Sequence, residues 1–168
     1  EAATAGMPPF DPPEILEADL SPLLLDCALW GVGEPASLQW LDPPSKVALD
    51  EARTRLVELD AIDVDGRPTE HGRAIARLPL PPRLAHMLVA ASPTGFGGLA
   101  AEVAMLLSER GLGGNDTDLE RRLERWRGER GQRAETARWI AKRWARLAQV
   151  DGKTSIDGSV AAAVALAF

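Results

Sequence analysis

The chain is short of cysteine, histidine and long apolar runs, and each shortage closes off a class of explanation. Cys27 is the only cysteine in 168 residues. No disulfide can form within the chain, and a reducing, cytoplasmic setting is the expectation. Cys27 sits among Leu23, Leu24 and Ala28 in a helical pattern, which reads as a small buried apolar residue rather than a reactive thiol. The two histidines, His71 and His86, have no cysteine or acidic neighbours at metal-ligand spacing and no visible triad. Packing or a surface hydrogen bond is read for them in preference to catalysis. No stretch approaches the roughly 18 apolar residues of a membrane span. No basic segment followed by an apolar run opens the chain as a signal peptide would. The chain starts at Glu1 rather than Met, and the apolar run Val160 to Phe168 stops without a cap, a glycine or a charged last turn. Both features raise the expectation of a piece cut from a longer protein, its last helix truncated.

Basic residues are scarce over positions 1–70, where Lys46, Arg53, Arg55 and Arg67 face many more acids. The net charge of −6 argues against a wholly basic nucleic-acid binder. The balance then reverses. Arg121, Arg122, Arg125, Arg127, Arg130, Arg133, Arg138, Lys142, Arg143 and Arg146 outnumber their acidic neighbours. Such asymmetry describes either a face for an anionic partner or two well-solvated helices.

What is present suffices for a folded, mainly α-helical protein: 45% apolar and 26% charged residues are ordinary for a globular chain. Residues 1–13, with their paired prolines, read as an extended linker, anchored by Phe10 and Ile15. Asp19 or Ser21 caps a helix through Cys27 and Ala28 that ends at Gly31 and Gly33. A short helix over Pro35 to Leu41, with Leu38 and Leu41 facing the core, stops at Asp42-Pro43-Pro44. Ser45 then caps a long helix whose apolar stripe is Val47, Leu49, Ala52, Leu56 and Leu59. Ala61-Ile62-Asp63 and Arg67-Pro68-Thr69 flank Asp65-Gly66, a tight-turn signal, and Pro68 makes its strand an edge. Thr69 caps a helix through Ile75. Helix–helix–hairpin is the core of a winged helix, placed at 14–78.

From Pro81 the strand signal disappears, and 79–168 reads as a helical bundle. Its helices carry Leu84, Met87, Leu88 and Ala91; then Leu99, Val103, Leu106 and Leu107; then, after a cap at Asn115 or Asp116, Leu119, Leu123 and Trp126. A further helix, about 132–149, turns Ala137, Ile140, Trp144, Leu147 and Ala148 inward. Ser155 or Asp157 opens the last one.

No motif supplies catalysis. Gly152-Lys153-Thr154 ends like a phosphate-binding loop, but Leu147 stands where the first glycine belongs and a helix precedes it. Gly95-Phe96-Gly97-Gly98 lacks the third glycine of a dinucleotide fingerprint and reads as a loop and helix cap. Asp63 and Asp65 are hairpin carboxylates. The fragment shows no catalytic site of its own. Trp139, in the basic segment, is the better candidate for stacking on a base; Trp144 lies on the inward stripe.

Pro13-Glu14-Ile15, Leu20, Leu25 and Trp30-Gly31-Val32, then Leu41-Asp42-Pro43-Pro44, resemble the opening of the helicase-associated region of DEAH-box helicases. Ala61-Ile62-Asp63, Gly66, Thr69 and Gly72 are similar to that family's hairpin. Leu78-Pro79-Leu80, Pro82 and Leu84-Ala85-His86-Met87-Leu88 are similar to its entry into a ratchet-like bundle, in the wording of the bacterial HrpB-type branch. The resemblance spans about 12–110. Asp60 departs from it, standing where the family has glycine before the hairpin; a left-handed geometry there is costlier for Asp.

The resemblance implies a winged helix and ratchet-like bundle acting as the accessory C-terminal part of an ATP-dependent RNA helicase. Two RecA-like motor domains of the same chain would bind ATP and Mg2+ and carry the hydrolase activity. The region would pack on them and help to hold single-stranded RNA, or DNA, during translocation, with no membrane partner. Arg138, Lys142 and Arg143, then Arg125 and Arg133, are the residues chosen to hold phosphates. The alternative is a stand-alone winged-helix nucleic-acid-binding or scaffold module without a motor.

Overall fold

The computed structural model of the chain describes residues 13–148 and 159–168. Helix α1 (Ser21–Leu29) takes Pro22 in its first turn, where a missing N–H costs nothing. The Asp19 carboxylate accepts from the Ser21 amide at 3.0 Å and its hydroxyl at 2.7 Å. The same carboxylate meets the Arg55 guanidinium at 2.6 Å, so it ties the start of α1 to α2. Burial alone would raise the Asp19 pKa, but the Ser21 bonds and Arg55 outweigh it and hold it below its ordinary value. Ile15 packs on the core as expected; Phe10 lies outside the described residues.

The expected short helix over Pro35 to Leu41 is reduced to one 3-10 turn, Pro35–Ser37. Leu38 leaves that turn with extended backbone. Leu41 does not face the core but is 98% exposed, and Leu38 is also on the surface. The turn already ends at Leu38, and Pro43 and Pro44 then disfavour helical geometry in Asp42 and Pro43, so no helix re-forms before α2. Only the Trp40 indole folds back, donating to the Pro35 carbonyl at 2.8 Å.

Helix α2 (Lys46–Glu58) begins where the Ser45 hydroxyl accepts from the Ala48 amide at 3.1 Å. Leu49, Ala52 and Leu56 are buried on α1. Val47, expected on that stripe, is exposed, because helical spacing puts it on the face of Asp50, Glu51 and Thr54, opposite Leu49, Ala52 and Leu56. After α2 the chain reverses through Asp60 at φ 52°, the only positive-φ residue other than glycine among the described residues. The left-handed turn suspected at that position is therefore real.

The expected two-stranded hairpin is a single antiparallel bridge, Ile62 to Pro68, and no strand forms among the described residues. The physical reason is local. Pro68 has no N–H to donate, and the Arg67 amide donates to the Asp63 carboxylate at 2.8 Å rather than to a facing strand. Asp63 N–H to the Arg67 carbonyl, 2.8 Å, and Thr69 N–H to the Ala61 carbonyl, 3.1 Å, hold what remains.

Helix α3 (Glu70–Ile75) is capped by the Thr69 hydroxyl, which accepts from the Gly72 amide at 2.9 Å and donates to the Asp60 carbonyl at 2.5 Å. Helix α4 (Pro82–Ala91) leads through Gly95 into α5 (Gly97–Ser108), as the glycine-rich loop reading required. Helices α6 (Leu119–Gly128), α7 (Gln132–Leu147) and α8 (Val160–Ala165) follow among the described residues. Asp118, not Asn115 or Asp116, caps α6 by accepting from the Glu120 and Arg121 amides, and Ser159 caps α8. Leu147 lies on the surface at the end of α7. The candidates Ser155 and Asp157, and the Gly152-Lys153-Thr154 segment, lie outside the described residues.

Helix α5 is the axis. Leu99, Ala100, Ala101, Val103, Ala104, Met105 and Leu106 are all buried, and α4, α6, α7 and α8 all pack on it. Buried residues from Leu20 to Ala167 form one continuous cluster. Cys27 is buried as well, and burial raises its thiol pKa, with Asp26 adding to the effect.

The α2–α3 corner can be tested at two positions. A Cβ on Gly72 would lie 1.9 Å from the Ala61 carbonyl oxygen, a backbone atom that cannot swing aside. Gly72→Ala should lower unfolding stability by at least about 2 kcal/mol in urea titration. At Asp60 the left-handed turn favours glycine over any L-residue, so Asp60→Gly should be more stable than Asp60→Ala by about 1 kcal/mol in the same titration.

Candidate nucleic-acid interface

The basic segment occupies α6 and α7, and the structure sorts its cations into two groups. The first group is already engaged by partners within the protein. Arg122 donates to the Leu106 carbonyl at 3.0 Å and to the Leu112 carbonyl at 3.3 Å, closing the α5–α6 loop. Gly113 lies in that loop, where a Cβ would come within 2.0 Å of the Arg122 carbonyl oxygen. Arg127 pairs with Glu102 of α5, and Arg121 with Asp118 at 3.4 Å.

Three residues chosen from the sequence as phosphate contacts belong to the same group. Arg125 pairs with Asp116 at 3.2 Å. The Asp116 carboxyl is held below its ordinary pKa first by the Asp118 amide and then by Arg125 and Arg121. Arg133 donates to the Arg110 carbonyl at 2.5 Å and lies 3.7 Å from Glu109. Arg138, partly buried, donates to the Trp126 carbonyl at 2.9 Å, closing the end of α6 onto α7.

The second group has no such partners among the described residues: Arg130, Lys142, Arg143 and Arg146. Three of these lie on one helix. At 100° per residue, Ala134, Ala137, Ala141 and Trp144 form the buried face of α7. Trp139, Lys142, Arg143 and Arg146 fall on the opposite side at i, i+3, i+4 and i+7. Trp139 is 56% exposed, and the Arg143 guanidinium sits 5.7 Å from its ring centroid, within cation–π range. Lys142 and Arg143 thus share an open stripe, whereas Arg125 sits on another helix and Arg138 on the flank of α7. Arg146 was not among the residues chosen. Projecting α7 around its own buried face would have found it, since it shares the angular sector of Lys142 and Arg143.

The histidines do meet. His71 Nε2 and His86 Nδ1 are 2.8 Å apart with rings edge to face. The Leu59 backbone lies beside His86. The pair therefore joins α3 to α4 near the corner after α2. Burial lowers both pKa values. For His86 the neighbouring His71 lowers it further, against opposing contributions from the Leu59 carbonyl and Asp60. This is the hydrogen-bonding role read from the sequence, made inside the structure rather than on its surface.

No family model matches the chain. It is 41% identical over 103 residues to "ATP-dependent RNA helicase HrpB" of Escherichia coli, covering 61% of this chain and 13% of that protein. It is 31% identical over 121 residues to "Probable ATP-dependent RNA helicase DHR2" of Saccharomyces cerevisiae, covering 72% of this chain and 16% of that protein. The crystal structure of the Escherichia coli DEAH/RHA helicase HrpB superposes with a TM-score of 0.78 at 34% identity, over 94% of this chain and 19% of that one. This chain is homologous to a segment of DEAH-box helicases. The DEAH-box resemblance read from the motifs is thereby confirmed, and the mainly helical fold agrees with it. No helix among the described residues is long and apolar enough to cross a membrane.

The histidine pair sets a pH dependence. Both folded-state pKa values lie below the ordinary 6.5, so the unfolded chain binds protons more readily. Stability from the neutral pair is complete above about pH 6.5 and is lost as pH falls from there through the lowered folded values. Urea midpoints measured from about pH 7.5 down to about pH 5 should fall, and His86→Gln should flatten that dependence.

Proposed function

We propose that this chain is the accessory C-terminal region of an ATP-dependent RNA helicase. It packs on RecA-like motor domains of the same protein and helps to hold single-stranded RNA while they move it. In this reading 14–78 is a winged helix reduced to a one-bridge wing, and 79–168 is the ratchet-like bundle. The cytoplasm is the proposed setting. ATP and Mg2+ belong to the motor domains. The described residues do not fit a nucleotide-phosphate loop of their own: Leu147, where such a loop needs glycine, ends a helix. The stand-alone module is not favoured, since HrpB and DHR2 carry the matched segment within far longer proteins.

The observation that carries the proposal is the outer stripe of α7. Unpaired cations flanking an exposed tryptophan are the elements of a sequence-tolerant strand contact, with guanidinium and ammonium groups on phosphates and an indole under a base. Lys142 and Arg143 are the principal contacts, Arg146 extends them, and Trp139 supplies the platform. Arg125, Arg133 and Arg138 are secondary, because each already serves the bundle, although a guanidinium with five N–H groups retains donors to spare.

The test is Lys142→Glu, Arg143→Glu and Arg146→Glu together in the full-length protein carrying this chain, read by fluorescence anisotropy with a single-stranded RNA. Affinity should fall at least about tenfold, and the slope of log affinity against log salt should become shallower by about 2, at roughly 0.7 for each phosphate that is no longer neutralised. Arg121→Gln, at a cation already paired with Asp118, should leave both readouts unchanged. Unchanged affinity and slope in the triple variant would overturn the assignment.

A further inference from the structure

Two guanidiniums outside the basic segment are also unpaired. Arg73 lies in α3, and Arg77 follows four residues later, just past its end; both are exposed. Among the described residues neither has an ion-pair or side-chain hydrogen-bond partner. They line a cleft of about 660 Å3 with Glu70 on their own side. The end of α4, the turn after it and the end of α7 supply an apolar wall that includes Val89, Pro93 and Leu147. Leu147 directly follows Arg146, so the cleft adjoins the end of the open stripe of α7.

Resting on the strand-holding reading above, we infer that this cleft is a second station for the same single strand and seats a nucleotide unit beyond the α7 stripe. Arg73 and Arg77 take successive phosphate oxygens, for which guanidinium geometry is suited. Val89, Pro93 and Leu147 receive the apolar face of a sugar or base. Glu70, an acceptor only, takes a hydroxyl or exocyclic amine. The carbonyl ends of α4 and α7 oppose an anion by about half a charge each, and Glu70 opposes it by one more. Arg73, Arg77 and Arg146, in the last turn of α7, outweigh them. A docked acidic protein surface would also satisfy two guanidiniums and cover the apolar wall with its aliphatic side chains; the strand is preferred because the cleft adjoins the unpaired cations of α7.

The experiment is Arg73→Gln with Arg77→Gln in the full-length protein, with a fluorescein-labelled single-stranded RNA as probe, beside the α7 triple variant. Affinity should fall about 5- to 10-fold and the salt slope should become shallower by about 1.4, two phosphates at roughly 0.7 each. Arg73→Lys with Arg77→Lys should restore most of the slope, because the charges return. The thermal transition should not move, since neither side chain has an internal partner. Loss of binding in the α7 variant with an unchanged Arg73/Arg77 double variant would overturn this inference and leave the helicase reading intact. An unmutated protein that binds no strand would overturn both. A double variant that loses thermal stability while keeping its RNA affinity and slope would assign the two arginines to a protein contact and overturn the inference.

Discussion

The structure depends on covering α5. Its buried residues cover most of its circumference, all but the side of Glu102, rather than one stripe, and so broadly apolar a helix has no stable position at a surface. Each fully buried leucine, valine or methionine there stabilises the fold by roughly 1.5–3 kcal/mol over its exposed state. Four helices must therefore surround it, and Ala100, Ala101 and Ala104 let them come close. The internal arginines follow from the same demand. Arg127 reaches Glu102 on α5, and Arg122 reaches the Leu106 carbonyl at the end of α5. Much of the positive charge on α6 is thereby a device for closing helices over α5. The cations of the outer face of α7 have no such task.

A second constraint joins the first half of the chain to this bundle. After α2 the backbone turns left-handed at Asp60 and Gly72 closes against the Ala61 carbonyl. The histidine pair then fastens α3 to α4 beside Leu59. Leu56, Ala61, Ile62 and Ile75 bury their side chains around the same corner. The corner sets the direction in which α3 leaves, and so where Arg73 and Arg77 stand relative to the ends of α4 and α7.

Helix order, most caps and the buried stripes were legible in the sequence because they rest on local chemistry: Ser45 and Thr69 before their helices, glycines after them, apolar residues at helical spacing. The left-handed corner was legible at Asp60 because the family motif has glycine there. The wing was over-read. Alternation and Asp-Gly signalled a ladder, but Asp63 answers the Arg67 amide with its own side chain and leaves one bridge. Leu41 was misplaced because the backbone leaves its helical turn at Leu38, which apolar spacing alone does not reveal. The basic segment was recognised as a segment, yet linear charge density could not separate Arg138, bonded to the Trp126 carbonyl, from Lys142, which has no partner among the described residues. That distinction needs the tertiary neighbours. Only the helical projection of α7, which adds Arg146, was available beforehand.

The central claim is that the outer face of α7 holds a nucleic-acid strand within a larger helicase. Photocrosslinking tests it most directly: a thiouridine-substituted single strand bound to the full-length protein, irradiated, with the modified peptides mapped by mass spectrometry. The account predicts crosslinks in the α7 peptide, centred on Trp139 and the residues one turn after it. Crosslinks confined to other parts of the protein, with the α7 peptide unmodified at saturating strand, would contradict it.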